Sequence, residues 1–96
     1  MKIGAYQFAV TGNIKNNLDV IKRAICQAAD ESVKLLAFPE CALTGYPPRD
    51  IEAAYSVDFA ELASAQEQIQ RLAIDNDMHI VIGTITKDFR HVIKDI

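Results

Sequence analysis

Lys34-Leu35-Leu36-Ala37-Phe38-Pro39-Glu40-Cys41-Ala42-Leu43-Thr44-Gly45-Tyr46-Pro47-Pro48 is the stretch that decides how this chain is read. Its first five residues are nearly continuous in apolar side chains, the pattern of a strand covered on both faces. Pro39 stops the strand, because proline has no N–H to donate to a ladder. Glu40 follows at once, and Gly45, Pro47 and Pro48 mark a loop.

Upstream, Ile3 to Val10 reads as another strand, ended by Thr11-Gly12-Asn13. A helix is predicted from Asn16 or Asn17 to Ser32, since Leu18, Ile21, Ile25 and Ala28 recur at three- and four-residue spacing. Asn13, Asn16 and Asn17 are all suitable N-caps. Downstream, Glu40 to Val57 has loop composition. Asp58 then opens a second helix, with Glu61 three residues on as in a capping box and Val57 with Leu62 as a hydrophobic staple. Phe59, Leu62, Ile69, Leu72 and Ala73 supply its buried face, and it should end near Asp75 to Asp77. Ile80 to Ile85 is a third, β-branched strand. The tail from Thr86 to Ile96 mixes both signs of charge and reads as a solvated segment. His79 and His91 have no partner at a recognisable spacing and read as structural or exposed. The order β-α-β-loop-α-β predicts an α/β fold with a largely parallel sheet and right-handed crossovers.

Composition sets the bounds. Ninety-six residues make one domain at most, able to bury somewhat over ~60% of its unfolded surface. Half of the residues are apolar and 24% are charged, which excludes disorder and low-complexity architecture. Ten Lys plus Arg against thirteen Asp plus Glu give a net charge of −3, without the basic footprint of a nucleic-acid binder. No apolar run approaches the ~18–20 residues that cross a bilayer, and the N-terminus lacks a cleavage-site pattern, so neither a membrane partner nor a signal peptide is expected. Cys26 and Cys41 form no CxxC or Cys/His cluster, so no metal is expected, and a reducing, cytoplasmic setting follows.

In open α/β sheets functional groups gather where strands end. The first strand end has a lone glycine and no phosphate-cradling pattern. The third has nothing distinctive. At the second, a carboxylate placed immediately after a buried strand would be rigidly held and partly desolvated, as a general base requires. The alternative is that Glu40 is only the first exposed residue of a loop.

Phe38-Pro39-Glu40, four residues, then Gly45-Tyr46 and the Pro-Pro that follows resemble the first signature of the nitrilase superfamily, the carbon–nitrogen hydrolases. The Gln7-Phe8 segment, the Asn-rich start of the first helix and Gly83-Thr84 in the third strand agree in order, so the resemblance covers about residues 1–86. It implies a β-α-β-α-β portion of an α-β-β-α sandwich that acts on amide or, less readily, nitrile C–N bonds through a Glu-Lys-Cys triad. It implies Glu40 as the general base and Tyr46 as a residue lining the substrate pocket, whose alternative is simply to pack the loop. The continuation through Pro47-Pro48 and Asp50 resembles amidases and the glutamine-hydrolysing domains of NAD synthetases. No cofactor is implied. A small-molecule amide or nitrile is the expected partner, and a homo-oligomer the expected assembly.

In that family the Lys and the nucleophilic Cys lie beyond the third strand. The expectation is therefore that residues 1–96 are the N-terminal part of one hydrolase domain, incomplete and inactive alone. Cys41 adjoins Glu40, and neighbouring side chains in extended backbone diverge, so a small, semi-buried wall residue is expected there. Cys26 reads as core or near-core. Arg49 and Asp50 are expected to face solvent rather than pair. In the family a second sheet covers the face turned from the helices; these residues supply none, which leaves an apolar patch larger than monomers usually carry, so the isolated chain is expected to self-associate or fold loosely. Two other readings stand beside this one. The first is a non-catalytic α/β binding or interaction module on the same scaffold. The second is a flavodoxin-like nucleotide binder, disfavoured because no strand–helix turn is glycine-rich.

Overall fold

A computed structural model describes residues 1–85 and, by backbone alone, residues 91–95. Strand β1 (Ile3–Ala5) leads into helix α1 (Ile14–Asp30), strand β2 (Leu35–Ala37), helix α2 (Phe59–Asp75), strand β3 (His79–Ile85) and strand β4 (His91–Asp95). One sheet carries the order β1-β2-β3-β4. β1, β2 and β3 are mutually parallel, with Gly4 opposite Leu36 and Leu36 opposite Ile80, while β4 runs antiparallel to β3. The α/β class and the order of the first five elements are those read from the sequence.

Both helices start where a side chain satisfies their free N–H groups. Asn13 accepts from the Asn16 amide at 3.0 Å, so α1 begins at Ile14, earlier than its apolar stripe suggests. Asp58 accepts from the Ala60 and Glu61 amides, both at 3.1 Å, a cap of a kind that contributes about 1 kcal/mol. Leu62 is buried and Val57 packs against the same core, as the staple requires. Both helices end alike. Ser32 (φ 62) and Asp77 (φ 49) take the left-handed conformation, and the next amides, of Val33 and Met78, return to the carbonyls of Ala28 and Ala73 at 3.0 and 2.9 Å. Those six-to-one bonds mark Schellman closures.

Three expectations change. β1 is three residues long rather than eight, because β2 is equally short. Only the Tyr6 amide still reaches a partner, the Ala37 carbonyl at 2.9 Å. Residues 6–10 keep a strand's alternation, with Tyr6, Phe8 and Val10 half-buried and Gln7 and Ala9 exposed, but have no ladder. His91–Asp95 forms an edge strand where a solvated tail was expected. Its five residues are too few to show alternation, and what makes them a strand is the non-local pairing with β3. The same expectation for Thr86 to Arg90 and Ile96 lies outside the described residues. Finally, the loop between β2 and α2 contains a single 3-10 turn, Ala54–Ser56.

The core lies on one side of the sheet. Ile21 and Ile25 of α1, Leu62 and Ile69 of α2, and Leu36, Ile80 and Ile82 of the strands share one buried cluster. Burying each such side chain contributes about 1.5–3 kcal/mol. Gln66 of α2 adds a polar tie, donating to the buried Thr84 hydroxyl at 3.1 Å. Residues of opposite parity face away from the helices. On that face Ile3 is 68% exposed, Ala5 and His79 are exposed, and Leu35, Ala37 and Val81 are half-buried. Gly83 and Ile85, of the same parity, are buried at its carboxyl end, and among the described residues no second sheet packs on this face. No helix among them is long and apolar enough to cross a membrane.

Candidate active site

Glu40 owes its place to a break in the ladder between β2 and β3. The Phe38 amide donates to the Val81 carbonyl at 3.0 Å. A regular parallel register would bring the next bond to the Gly83 carbonyl from residue 40. It comes instead from Cys41, at 3.1 Å. One extra residue is spent in the manner of a bulge. Cys41 absorbs the excess by adopting φ 55, which costs a non-glycine residue about 1 kcal/mol or more. The chain then closes a single turn, with the Gly45 amide donating to the Cys41 carbonyl at 2.8 Å.

This detour lays Glu40 over β3. A Cβ on Gly83 would lie 3.2 Å from Glu40 Cα and 3.3 Å from Glu40 Cγ. Gly83 shares its parity with Val81, so Glu40 sits on the face of the sheet turned away from the helices. Glycine at position 83 is what allows the approach. Any side chain there would have to displace the Glu40 backbone or the stem of its carboxylate. The expectation of partial desolvation is not met, for Glu40 is exposed on the uncovered face of the sheet. The backbone that carries it is tied by the Cys41 and Gly45 amide bonds.

The two cysteines part company. Cys41 is 1% exposed, and burial first, then the neighbouring Glu40 charge, push its thiol up to about 11. It is protonated at neutral pH and enclosed, more deeply buried than the semi-buried wall residue expected. Cys26 is exposed rather than near-core, because α1 turns position 26 just past its buried stripe of Ile21, Ala24, Ile25 and Ala28. It lies on a helix across the sheet from Glu40. Neither thiol is brought to the carboxylate as a nucleophile. Among the described residues no group of three or more His, Cys, Asp and Glu side chains converges to hold a metal ion.

Beyond the turn, Asp50 organises the Tyr46 loop. Its Oδ2 accepts from the Tyr46 amide at 2.8 Å and from Arg49 Nη2 and Nε at 2.9 and 3.1 Å, while its own amide donates to the Tyr46 carbonyl at 2.8 Å. The expectation that Arg49 and Asp50 face solvent rather than pair is overturned: they form an ion pair at 2.9 Å, and only the Arg49 side chain is solvent-exposed. The Asp50 side chain is mostly enclosed, and the Arg49 hydrogen bond, with the Tyr46 amide behind it, holds its carboxyl below the usual carboxylate range. Tyr46 is 41% exposed, its backbone fixed from both sides by Asp50. The Pro47–Pro48 bond is cis.

One contributor escaped the sequence reading. Asn17, weighed there only as a helix cap, is 1% exposed and bonds to Thr11 and to the Leu43 carbonyl. A polar residue on the apolar side of an amphipathic helix was the available signal.

Residues 2–94 match the family of carbon-nitrogen hydrolases. A glutamine-dependent NAD(+) synthetase from Synechocystis sp. is 36% identical over 77 residues, which are 78% of this chain and 13% of that protein. Among solved structures, an amidase from Nesterenkonia sp. superposes with a TM-score of 0.76 at 22% identity, over 99% of this chain and 38% of its own. The glutamine-dependent NAD+ synthetase of Acinetobacter baumannii does so with a TM-score of 0.72 at 24% identity, over 94% and 17%. A variant of the Nesterenkonia amidase with a TM-score of 0.77, at 22% identity over 99% of this chain and 39% of its own, shows acrylamide added at its active-site cysteine. These structures share the fold, and this chain spans well under half the length of each relative. By its sequence match over nearly all of its residues, the chain belongs to the carbon-nitrogen hydrolase family.

Proposed function

We propose that this chain supplies the general base and one wall of the active site of an amide-hydrolysing enzyme. The observation that carries the reading is the placement of Glu40 at the end of β2, over Gly83, on the one face of the sheet left open for further structure. The match to a glutamine-dependent enzyme and the likeness to amidases support amide over nitrile.

In this reading the Glu40 carboxylate accepts the proton of a cysteine thiol that belongs to the parent protein beyond these residues. An unperturbed thiol, with a pKa of about 8.5, carries too little thiolate at neutral pH to work without a base. The thiolate attacks the amide carbon and a lysine stabilises the negative oxygen of the tetrahedral intermediate. The C–N bond breaks, the leaving ammonia takes the proton back from Glu40, and water later cleaves the thioester with Glu40 again accepting a proton. Tyr46, anchored by Asp50, lines the pocket wall beside the base.

Ammonia release by the full gene product, screened on primary amides including glutamine and on the matching nitriles, tests this. The expected outcome is ammonia from at least one amide at a rate above that from its nitrile. No ammonia from any amide, or faster release from the nitrile, would overturn the reading.

A further inference from the structure

We propose that Asn17 is a positioning residue that locks the two strand-end loops together and thereby sets the place of Glu40. The proposal rests on the amidase reading for its consequence in catalysis, but not for the lock itself. All four of the hydrogen-bonding positions of the Asn17 amide are used. Its Oδ1 accepts from the Thr11 amide at 2.9 Å and the Thr11 hydroxyl at 3.1 Å. Its Nδ2 donates to the Thr11 carbonyl at 2.7 Å and to the Leu43 carbonyl at 2.8 Å. An amide offers two acceptor sites and two donors, so no capacity is left over, and the side chain is 1% exposed.

The four bonds join different parts of the chain. Thr11 belongs to the segment between β1 and α1, whereas Leu43 belongs to the turn that begins at Glu40 and is closed by the Gly45 amide on the Cys41 carbonyl. The Leu43 carbonyl is thus the outer handle of the turn that carries Glu40. Two close approaches repeat the connection. A Cβ on Gly45 would lie 2.7 Å from the Thr11 carbonyl oxygen, and one on Gly12 would overlap the Asp50 carbonyl oxygen. The loops are in backbone contact, and Asn17, on the first turn of α1, bonds them both.

A buried amide with every partner in place is costly to disturb, because each lost bond leaves a desolvated group unpaired. Asn17→Asp keeps the shape and both acceptors but removes both donors and turns a carboxylate toward two carbonyls. Asn17→Ser is milder, too short to reach Thr11 and Leu43 together, and carries the same test if the aspartate variant does not fold. In the full gene product either variant is expected to speed amide hydrogen exchange at Thr11 and across residues 41–45 at least tenfold. It is also expected to lower kcat at least tenfold with KM within twofold. Met78→Ala, which empties buried volume at the opposite end of the sheet, serves as the control. It should lower the thermal midpoint as much as Asn17→Ser while keeping kcat within twofold. Unchanged exchange at these amides, a kcat within twofold for the Asn17 variants, or an equal loss of kcat in Met78→Ala would overturn the assignment. If the unaltered enzyme released no ammonia from any amide, the amidase reading would fall, and exchange alone would decide the lock.

Discussion

Glu40→Gln in the full gene product is expected to lower kcat by about 10²–10⁴-fold, the span that a positioned general base typically contributes. The substitution replaces one carboxylate oxygen by an amide nitrogen and leaves the side chain its length. The Cα and Cγ approach to Gly83 therefore survives, as do the Cys41 bond to the Gly83 carbonyl and the Gly45 bond that closes the turn. Because Glu40 is exposed and glutamine matches its size, the thermal midpoint should shift little. KM should stay within a few-fold, since the loss falls on proton transfer rather than on binding. Steady-state ammonia release with circular dichroism as the check on folding measures both halves. A variant that keeps its rate would remove Glu40 from the chemistry. One that loses its rate together with its fold would show the residue to be structural instead.

The second large effect is on stability. Gly45→Ala is expected to destabilise the fold by about 2–5 kcal/mol, combining roughly 1–2 kcal/mol for a non-glycine residue in the left-handed region with about 1–3 kcal/mol of overpacking. Gly45 has φ 82, and a Cβ there would come within 2.5 Å of Asp50 Cβ and 2.7 Å of the Thr11 carbonyl oxygen. Neither neighbour can yield cheaply. Asp50 is held by Tyr46 and Arg49, and Thr11 is held by Asn17. Urea denaturation of the variant beside the unaltered protein checks the figure. A shift below about 0.5 kcal/mol, the ordinary range for a surface change, would mean that the loop accommodates the methyl group and is not held as described.

How legible the fold was depended on the range of the interaction that made each element. The two helices were legible because an amphipathic stripe and a cap are local. Asp58 with its N–H partners two and three residues ahead is written within four positions. The strands were legible as apolar runs, but their lengths were not. β1 stops at Ala5 because β2 gives it nothing further to pair with, and β4 exists through pairing with β3. The position of Glu40 after a stopped strand could be read from Pro39. Its seat over Gly83 could have been suspected, since a lone glycine inside a β-branched strand often marks the close approach of another backbone. Asn17 could not be assigned to its loops, because the partner that gives it meaning is Leu43, twenty-six residues away. Cys26 was misread by a small rotation of helix phase, which apolar spacing alone does not resolve.

Chemical rescue of Glu40→Ala by formate addresses the base assignment most directly. The alanine variant leaves the Gly83 approach open on one side and creates room for a small carboxylate where the native one belongs. Ammonia release by this variant is expected to be nearly absent without additive, to rise with formate concentration, and not to rise with chloride at the same ionic strength. An alanine variant that hydrolyses the amide at the unaltered rate with no formate present would contradict the base assignment.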